Sequence, residues 1–442
     1  MEKNNEDIAW EILKNSFDTS KEDEVAKSYE KLTGWSNFKN KFIIARNSIK
    51  FNFIYDKNAH SIFGTSVKGK INLFHHEFYS NPEGIEEDNP KIQKLLSHLL
   101  YFCYRSKFPP IENIKKHNHY TSDSGWGCMI RCCQMILSRA LYKMFKHLNF
   151  KTYKAIFKTL IYFMETPFLL EELPDDFVPI MNWFLKQSYT KDPSKEVTIK
   201  SFTAPFSIKN ICGFGKLFNK TAGEWFSDVY LSQIVDMINT HFKCFPQLKI
   251  LCSQSCITLS DLVNGMFTKD NTHLKNTDNS IMFRDEKWYY NKMGLIFVSV
   301  RLGINKIAEE YINQIKALFS CKQCIGFIGG KQAYAYYFIG YNESNFFYLD
   351  PHITKETAKS LKNEKDLSSY LMKDIHWLPF HDLQTSFTIG FMIRDFKEYN
   401  EFIKWVEEYT KGSFPCFGFI NNSCIENKEE VKYDINMEDD DF

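Results

Sequence analysis

In the N-terminal half of the chain apolar residues recur at helical spacing, and in the C-terminal half they fall into short runs of strand length. The clearest helical run follows Cys128, where Met129, Cys132, Cys133, Ile136, Leu137, Ala140, Leu141 and Met144 share one face. Upstream, Asn89-Pro90 offers a cap and a proline at the first helical position. Ile92, Leu95, Leu96, Leu99, Leu100 and Cys103 continue that helix, Pro109-Pro110 is expected to end it, and a linker through His117-Asn118-His119 leads to Cys128. Residues 150 to 290 are less regular, with polar loops at Lys191 to Lys195 and Thr268 to Asn279. Beyond them, strands are predicted at Gly294–Val300, Ile325–Ile328, Tyr334–Tyr341, Asn345–Leu349 and Phe387–Ile393. A helix capped by Asn305 carries Ile307, Tyr311, Ile315 and Leu318. Helices first and strands later predict an α+β fold. No internal repeat is seen.

Composition narrows the function. The 442 residues carry 55 basic and 54 acidic side chains, so no global field draws the chain to nucleic acid or an anionic membrane. A hydrophobic content of 44% supplies a core, and no run of 18 or more apolar residues predicts a membrane span. The polar N-terminus does not read as a signal peptide, and 12 cysteines without one read as reduced thiols of a cytoplasmic protein. The expected organisation is a leader over 1–55, a catalytic domain with insertions over 56–410, and an acidic, disordered tail over 411–442. That tail ends in Glu438-Asp-Asp-Asp-Phe442.

Two places hold candidate chemistry. Gly125 and Gly127 flank Trp126 and allow a tight backbone approach, which delivers Cys128 to the first turn of its helix. A helix N-terminus favours thiolate over thiol, so a nucleophile is well placed there; a buried cysteine on a packed helix is the alternative. A nucleophile needs a base, and the base an orienting group. Asp350 and His352 close the Asn345–Leu349 strand, and in extended backbone residues i and i+2 point the same way, roughly 6.5 Å apart. Pro351 keeps Asp350 out of helical geometry. An Asp and a His in a solvated turn would fit the same residues. Cys321-Lys-Gln-Cys324, and the pair Cys252 and Cys256, have spacings seen in redox or zinc sites. The Cys321 pair is expected at a helix-to-strand junction without metal.

The stretch Thr121-Ser-Asp-Ser-Gly-Trp-Gly-Cys-Met-Ile-Arg131 together with Leu349-Asp-Pro-His352 resembles the autophagins, cysteine endopeptidases that process ubiquitin-like autophagy modifiers. Tyr104-Arg-Ser-Lys-Phe-Pro-Pro-Ile111, Gly223-Glu-Trp-Phe226, Arg301-Leu-Gly303, Gly326 to Lys331 and Tyr337 to Tyr341 are similar to further family segments. The resemblance covers roughly residues 60 to 400 and is weak near 185–205 and 265–285. It implies a papain-like fold with the nucleophile on a helix packed on a mainly antiparallel sheet that carries Asp and His. It implies Cys128 as nucleophile, His352 as base, Asp350 as orienter and Tyr104 as oxyanion donor beside the Cys128 N–H. Trp225 would wall a narrow glycine-selective groove, with Trp126, Gly330 and Lys331 as further substrate-binding residues.

The implied reaction is cleavage after a C-terminal glycine of the modifier, in its precursor and in its phosphatidylethanolamine-conjugated form. It needs no metal or organic cofactor, and it implies a monomer that touches membranes transiently through its lipidated substrate. A catalytically weak modifier-binding protein and another ubiquitin-like-protein thiol protease are the competing readings. Two departures stand out: Lys331-Gln-Ala-Tyr-Ala335 is bulkier than the family's mobile loop, and Cys133 replaces a usual glycine. Cys132 and Cys133, about one turn from Cys128, suggest redox sensitivity. Trp10 and Leu13, preceded by acidic charge, resemble a short modifier-docking motif, though the same spacing suits a helix packed on the domain.

Overall fold

The computed structural model describes residues 69–80, 89–150, 152–165, 204–269, 279–331, 334–372 and 375–421. Trp10, Leu13 and residues 422–442 of the expected tail lie outside them; the tail's first part, 411–421, is instead packed on the domain, with Cys416 and Phe417 buried and Gly418–Ile420 paired with Cys256–Thr258.

The main sheet is built from β1 (Gly69–Leu73), β2 (His76–Ser80), β5 (Leu248–Gln254), β6 (Met293–Arg301), β7 (Cys324–Lys331), β8 (Tyr334–Tyr341), β9 (Asn345–Leu349), β11 (His376–Pro379) and β12 (Ser386–Ile393). Its order is β11-β9-β8-β7-β12-β6-β5, with the β1–β2 hairpin attached to the end of β8. Every pairing is antiparallel except β5 with β6. Both faces are covered, which is why these strands read as continuous apolar runs. Along β12, Phe387, Ile389, Phe391 and Ile393 join a phenylalanine-rich core with Phe327 and Phe338. Met392 faces the opposite core, which holds Ile328, Tyr337 and Leu349.

That second core is organised by α2 (Cys128–His147), which lies against β7 and β8 and is flanked by α3 (Tyr153–Met164) and α5 (Asp228–Phe242). Ile130, Met135, Ile136, Leu137, Ala140, Leu141 and Met144 are all buried there. The other face of the sheet is covered by α7 (Glu309–Leu318) and α9 (Phe396–Lys411), through Ile315, Leu318, Phe402 and Val406. Among the described residues the remaining α-helices are α1 (Asn89–Leu96), α4 (Ile208–Gly215), α6 (Leu259–Met266) and α8 (Glu364–Ser368). The α+β expectation holds, as do the predicted strands, with bounds moved by a residue or a few.

Three local expectations fail. The helix from Asn89 ends at Leu96 rather than running on through Cys103, and Tyr104–Asn113 is strand β3. Tertiary pairing wins over periodicity here: the Tyr101 N–H donates to the Tyr370 carbonyl at 2.9 Å and the Tyr104 N–H to the Pro351 carbonyl at 2.9 Å. Pro109-Pro110 sits inside β3, not at a helix end. Proline donates nothing to a ladder, and these two fall in the break between Ser106↔Ser122 and Ile111↔Tyr120. The supposed linker at His117–His119 is instead the turn into β4 (Asn118–Ser122), which pairs with β3, while β10 (Thr354–Glu356) pairs with the other side of β3. Finally, α7 starts at Glu309 with Ala308 as its cap, so Asn305 caps nothing. Cys321 and Cys324 lie buried between α7 and β7, the expected helix-to-strand junction.

Candidate active site

Cys128 is the first residue of α2, and the turn before it is held by charge rather than by a side-chain cap. Gly125 has φ of +88°, a left-handed conformation that suits glycine. Gly127 is needed for a different reason: a Cβ there would stand 2.6 Å from the Cβ of Asp123. The Asp123 carbonyl accepts from the N–H groups of Trp126 and Gly127 at 3.1 and 2.9 Å. Its carboxylate accepts from the Arg105 N–H at 2.6 Å and from Arg131 Nε at 2.6 Å. Arg131 Nη1 reaches on to Glu165 at 2.8 Å, and Arg105 Nε lies 3.8 Å from the same carboxylate. Two arginines and two carboxylates, all buried, therefore cancel in charge and tie β3, the turn, α2 and the end of α3 together.

The other half of the site is the turn after β9. Asp350 Oδ1 accepts both the His352 backbone N–H at 2.9 Å and the ring Nδ1 at 2.6 Å. The pair meets through this side-chain-to-backbone turn, not through strand alternation. The turn is clamped from β3 and the residues before it, by the Tyr104 N–H on the Pro351 carbonyl and by the Tyr101 hydroxyl on the Asp350 carbonyl at 2.5 Å. Nδ1 is occupied by Asp350, so Nε2 is the nitrogen left for the thiol, and Cys128 is among the groups that favour the charged ring. Burial lowers the His352 pKa, but the Asp350 charge, its hydrogen bond and Cys128 together outweigh that and raise it to about 9. The imidazole is walled edge-on by Tyr104 (5.4 Å), Tyr334 (5.0 Å) and Tyr336 (5.6 Å).

The Tyr104 hydroxyl meets the Cys128 side chain and the Gly125 backbone, and burial, followed by Cys128, raises its pKa well above the ordinary phenol value. The structure thus gathers Cys128, Asp350, His352 and Tyr104 into one cluster. The other expected residues stand differently. Trp225 is 41% exposed and follows Gly223, where φ is +85° and a Cβ would strike the Tyr120 ring. Trp126 is buried, its indole N–H donating to the Ser122 carbonyl at 2.9 Å. Gly330 is the last residue but one of β7, where a Cβ would strike the Tyr334 carbonyl, and Lys331 pairs with Asp382 at 2.6 Å. Cys132 is buried and feels Cys128, whereas Cys133 feels Cys252 instead.

Sequence reasoning gave no role to Asp123, Arg131, Arg105 or Glu165. The first two lie inside the motif itself, while nothing local marks Glu165 as their partner. Tyr336 was legible only as a strand residue, and Tyr334 as one of the bulky residues of the segment matched to the family's mobile loop; neither was given a place beside His352.

A helix-borne cysteine facing a histidine and aspartate carried by an antiparallel sheet defines a papain-like cysteine peptidase. A family model described as the peptidase C54 catalytic domain matches residues 89–405, and the chain belongs to that family. It is 25% identical over 446 residues to Cysteine protease ATG4C of Xenopus tropicalis, covering 92% of this chain and 91% of that protein. It is 26% identical over 336 residues to Cysteine protease ATG4A of Gallus gallus, covering 73% and 80%. Cysteine protease atg4 of Dictyostelium discoideum is 25% identical over 404 residues, covering 72% and 53%. No helix among the described residues is long and apolar enough to cross a membrane.

Proposed function

We propose that the protein hydrolyses the bond after a C-terminal glycine of a ubiquitin-like autophagy modifier, both in its precursor and in its phosphatidylethanolamine conjugate. The observation that carries this reading is the joined cluster of Cys128, His352, Asp350 and Tyr104, in a chain whose relatives are named as ATG4 cysteine proteases. Cys128 Sγ attacks the glycine carbonyl, and the proton held on His352 Nε2 passes to the departing amine. The resulting thioester is attacked by water, which returns a proton to the same nitrogen and releases Cys128. Asp350 keeps the ring in the right tautomer and favours its charged form. The Tyr104 hydroxyl and the Cys128 N–H donate to the oxyanion. Exposed Trp225 walls the slot that admits a residue without Cβ. The enzyme works in the cytoplasm as a monomer, and Trp10 with Leu13 adds a second contact to the modifier.

The test is incubation of wild-type and Cys128→Ala protein with a modifier bearing a C-terminal extension, and separately with its lipid conjugate. Glycine-ended product from the wild type alone is expected. Comparable turnover by the alanine variant would remove Cys128 as the nucleophile.

A further inference from the structure

At the far end of α2 from Cys128, Arg139 and Lys143 form no ion pair among the described residues, while neighbouring Lys322 has Glu401 at 3.9 Å. Arg139 and Lys143 lie one turn apart on α2 and face the β1–β2 turn. Arg139 rests over the Phe74 ring at 4.6 Å, and its Nε is buried and meets no acceptor among the described residues. Lys143 Nζ donates to the Lys322 backbone carbonyl at 3.0 Å. Helix-dipole matching explains Lys146 and His147 in the last turn but not Arg139, which sits more than a turn earlier.

The nearby carboxylates are already engaged. Glu398 is held by Arg394 through the backbone N–H at 2.9 Å and the Nε at 3.0 Å. Glu401 lies 3.9 Å from Lys322, and Asp395 lies 3.9 Å from His147. Mutual repulsion shows in the titration of the cluster. Burial, then Arg139 and Arg394, lower the Lys143 pKa to about 8, with Glu398 opposing. Burial, then His76, Lys143, Arg139 and Lys322, lower His75 to about 4. His75 and His76 are in ring contact at 4.0 Å, so two neutral imidazoles border the cations.

We propose that Arg139, Lys143 and Lys322, bordered by His75 and His76, form a binding site for the phosphate group of a soluble phosphorylated ligand. A guanidinium fork and the Lys143 ammonium offer donors to a tetrahedral oxyanion, with exposed Lys322 at the rim, and a bound dianion would relieve the repulsion of Arg139 on Lys143. The site is separate from the peptidase centre: eleven residues of helix put Arg139 about 16 Å along α2 from Cys128.

Inorganic phosphate and inositol hexakisphosphate are titrated into the full-length protein, with sodium chloride at matched ionic strength as control. Binding is read by calorimetry and by the NMR titration of His75. Saturable binding that raises the His75 pKa is expected. Arg139→Gln/Lys143→Gln should weaken it about tenfold or more while leaving modifier cleavage unchanged. Lys322→Gln, at an exposed position that cannot unfold the core, should weaken it by a smaller factor. An equal response to chloride, or undiminished binding by both variants, would overturn the site. Vesicles of phosphatidylcholine with phosphatidylserine form the last arm: binding to them without binding to either soluble phosphate would make the patch a membrane contact and end the soluble-ligand proposal.

Discussion

At His352 two forces compete, burial that opposes the charged ring and Asp350 that favours it, and the second prevails. The folded pKa of about 9 lies above the ordinary 6.5, so the native state holds its proton at neutral pH. Stabilisation from the Asp350–His352 pair is therefore complete below 6.5 and is lost as pH rises through about 9. Cleavage that needs the protonated ring should fall across the same alkaline range. Asp350→Asn removes the leading cause of the raised value. It should move the alkaline limb of kcat/KM to lower pH and reduce the rate by roughly 10⁴. A limb that stays near 9 in that variant would detach Asp350 from the titration. Tyr104→Phe removes one oxyanion donor and should lower kcat by about 10²–10³ with little change in KM, measured under single-turnover conditions. Spacing alone left Asp350 and His352 open between a pair and a solvated turn, and the resemblance decided for the pair. The turn that joins them was not legible, because it depends on a side chain accepting a backbone N–H, which periodicity does not encode.

The element that places the nucleophile is the turn from Asp123 to Gly127, and its rigidity comes from buried charges contributed by β3, α2 and α3. Removing one member leaves the others unpaired without water. Arg131→Met should cost about 3–5 kcal/mol in urea unfolding, since Asp123 and Glu165 are then buried carboxylates without their main cation. Arg131→Lys keeps the charge but loses the fork, so a smaller loss of stability and a clear loss of kcat are expected. Stability unchanged in Arg131→Met would show that the network does not hold the turn. The local pattern around Cys128 carried this element well, because helix periodicity and glycine spacing are properties of neighbouring residues. It misread residues 97 to 113, where Leu99, Leu100 and Cys103 have helical spacing but the backbone of Leu100, Tyr101 and Tyr104 pairs with segments near 351 and 370. Contacts that far apart in sequence leave no periodic trace.

Across the whole molecule, the site is assembled from two bodies of residues, the α2 side with Cys128 and the sheet side with Asp350 and His352. What sets the gap between them is the packing of α2 on β7, β8 and β12. Gly390 of β12 lies within that contact. A Cβ there would lie 2.8 Å from Ile136 Cδ1 on α2 and 2.8 Å from Ile325 Cγ1 on β7. The strand is central and the neighbours are fully buried, so neither side chain has open space to move into. Gly390→Ala should then push α2 off the sheet. The expected cost is about 1–3 kcal/mol of overpacking, read by denaturant unfolding. Activity should fall further than stability requires, because Cys128 rides on the displaced helix while His352 does not. Gly390→Ala combined with Ile136→Val removes the methyl that is struck and should restore both quantities in part. If the single variant keeps full kcat despite a measurable loss of stability, the helix-to-sheet spacing at Gly390 does not govern the distance between thiol and imidazole.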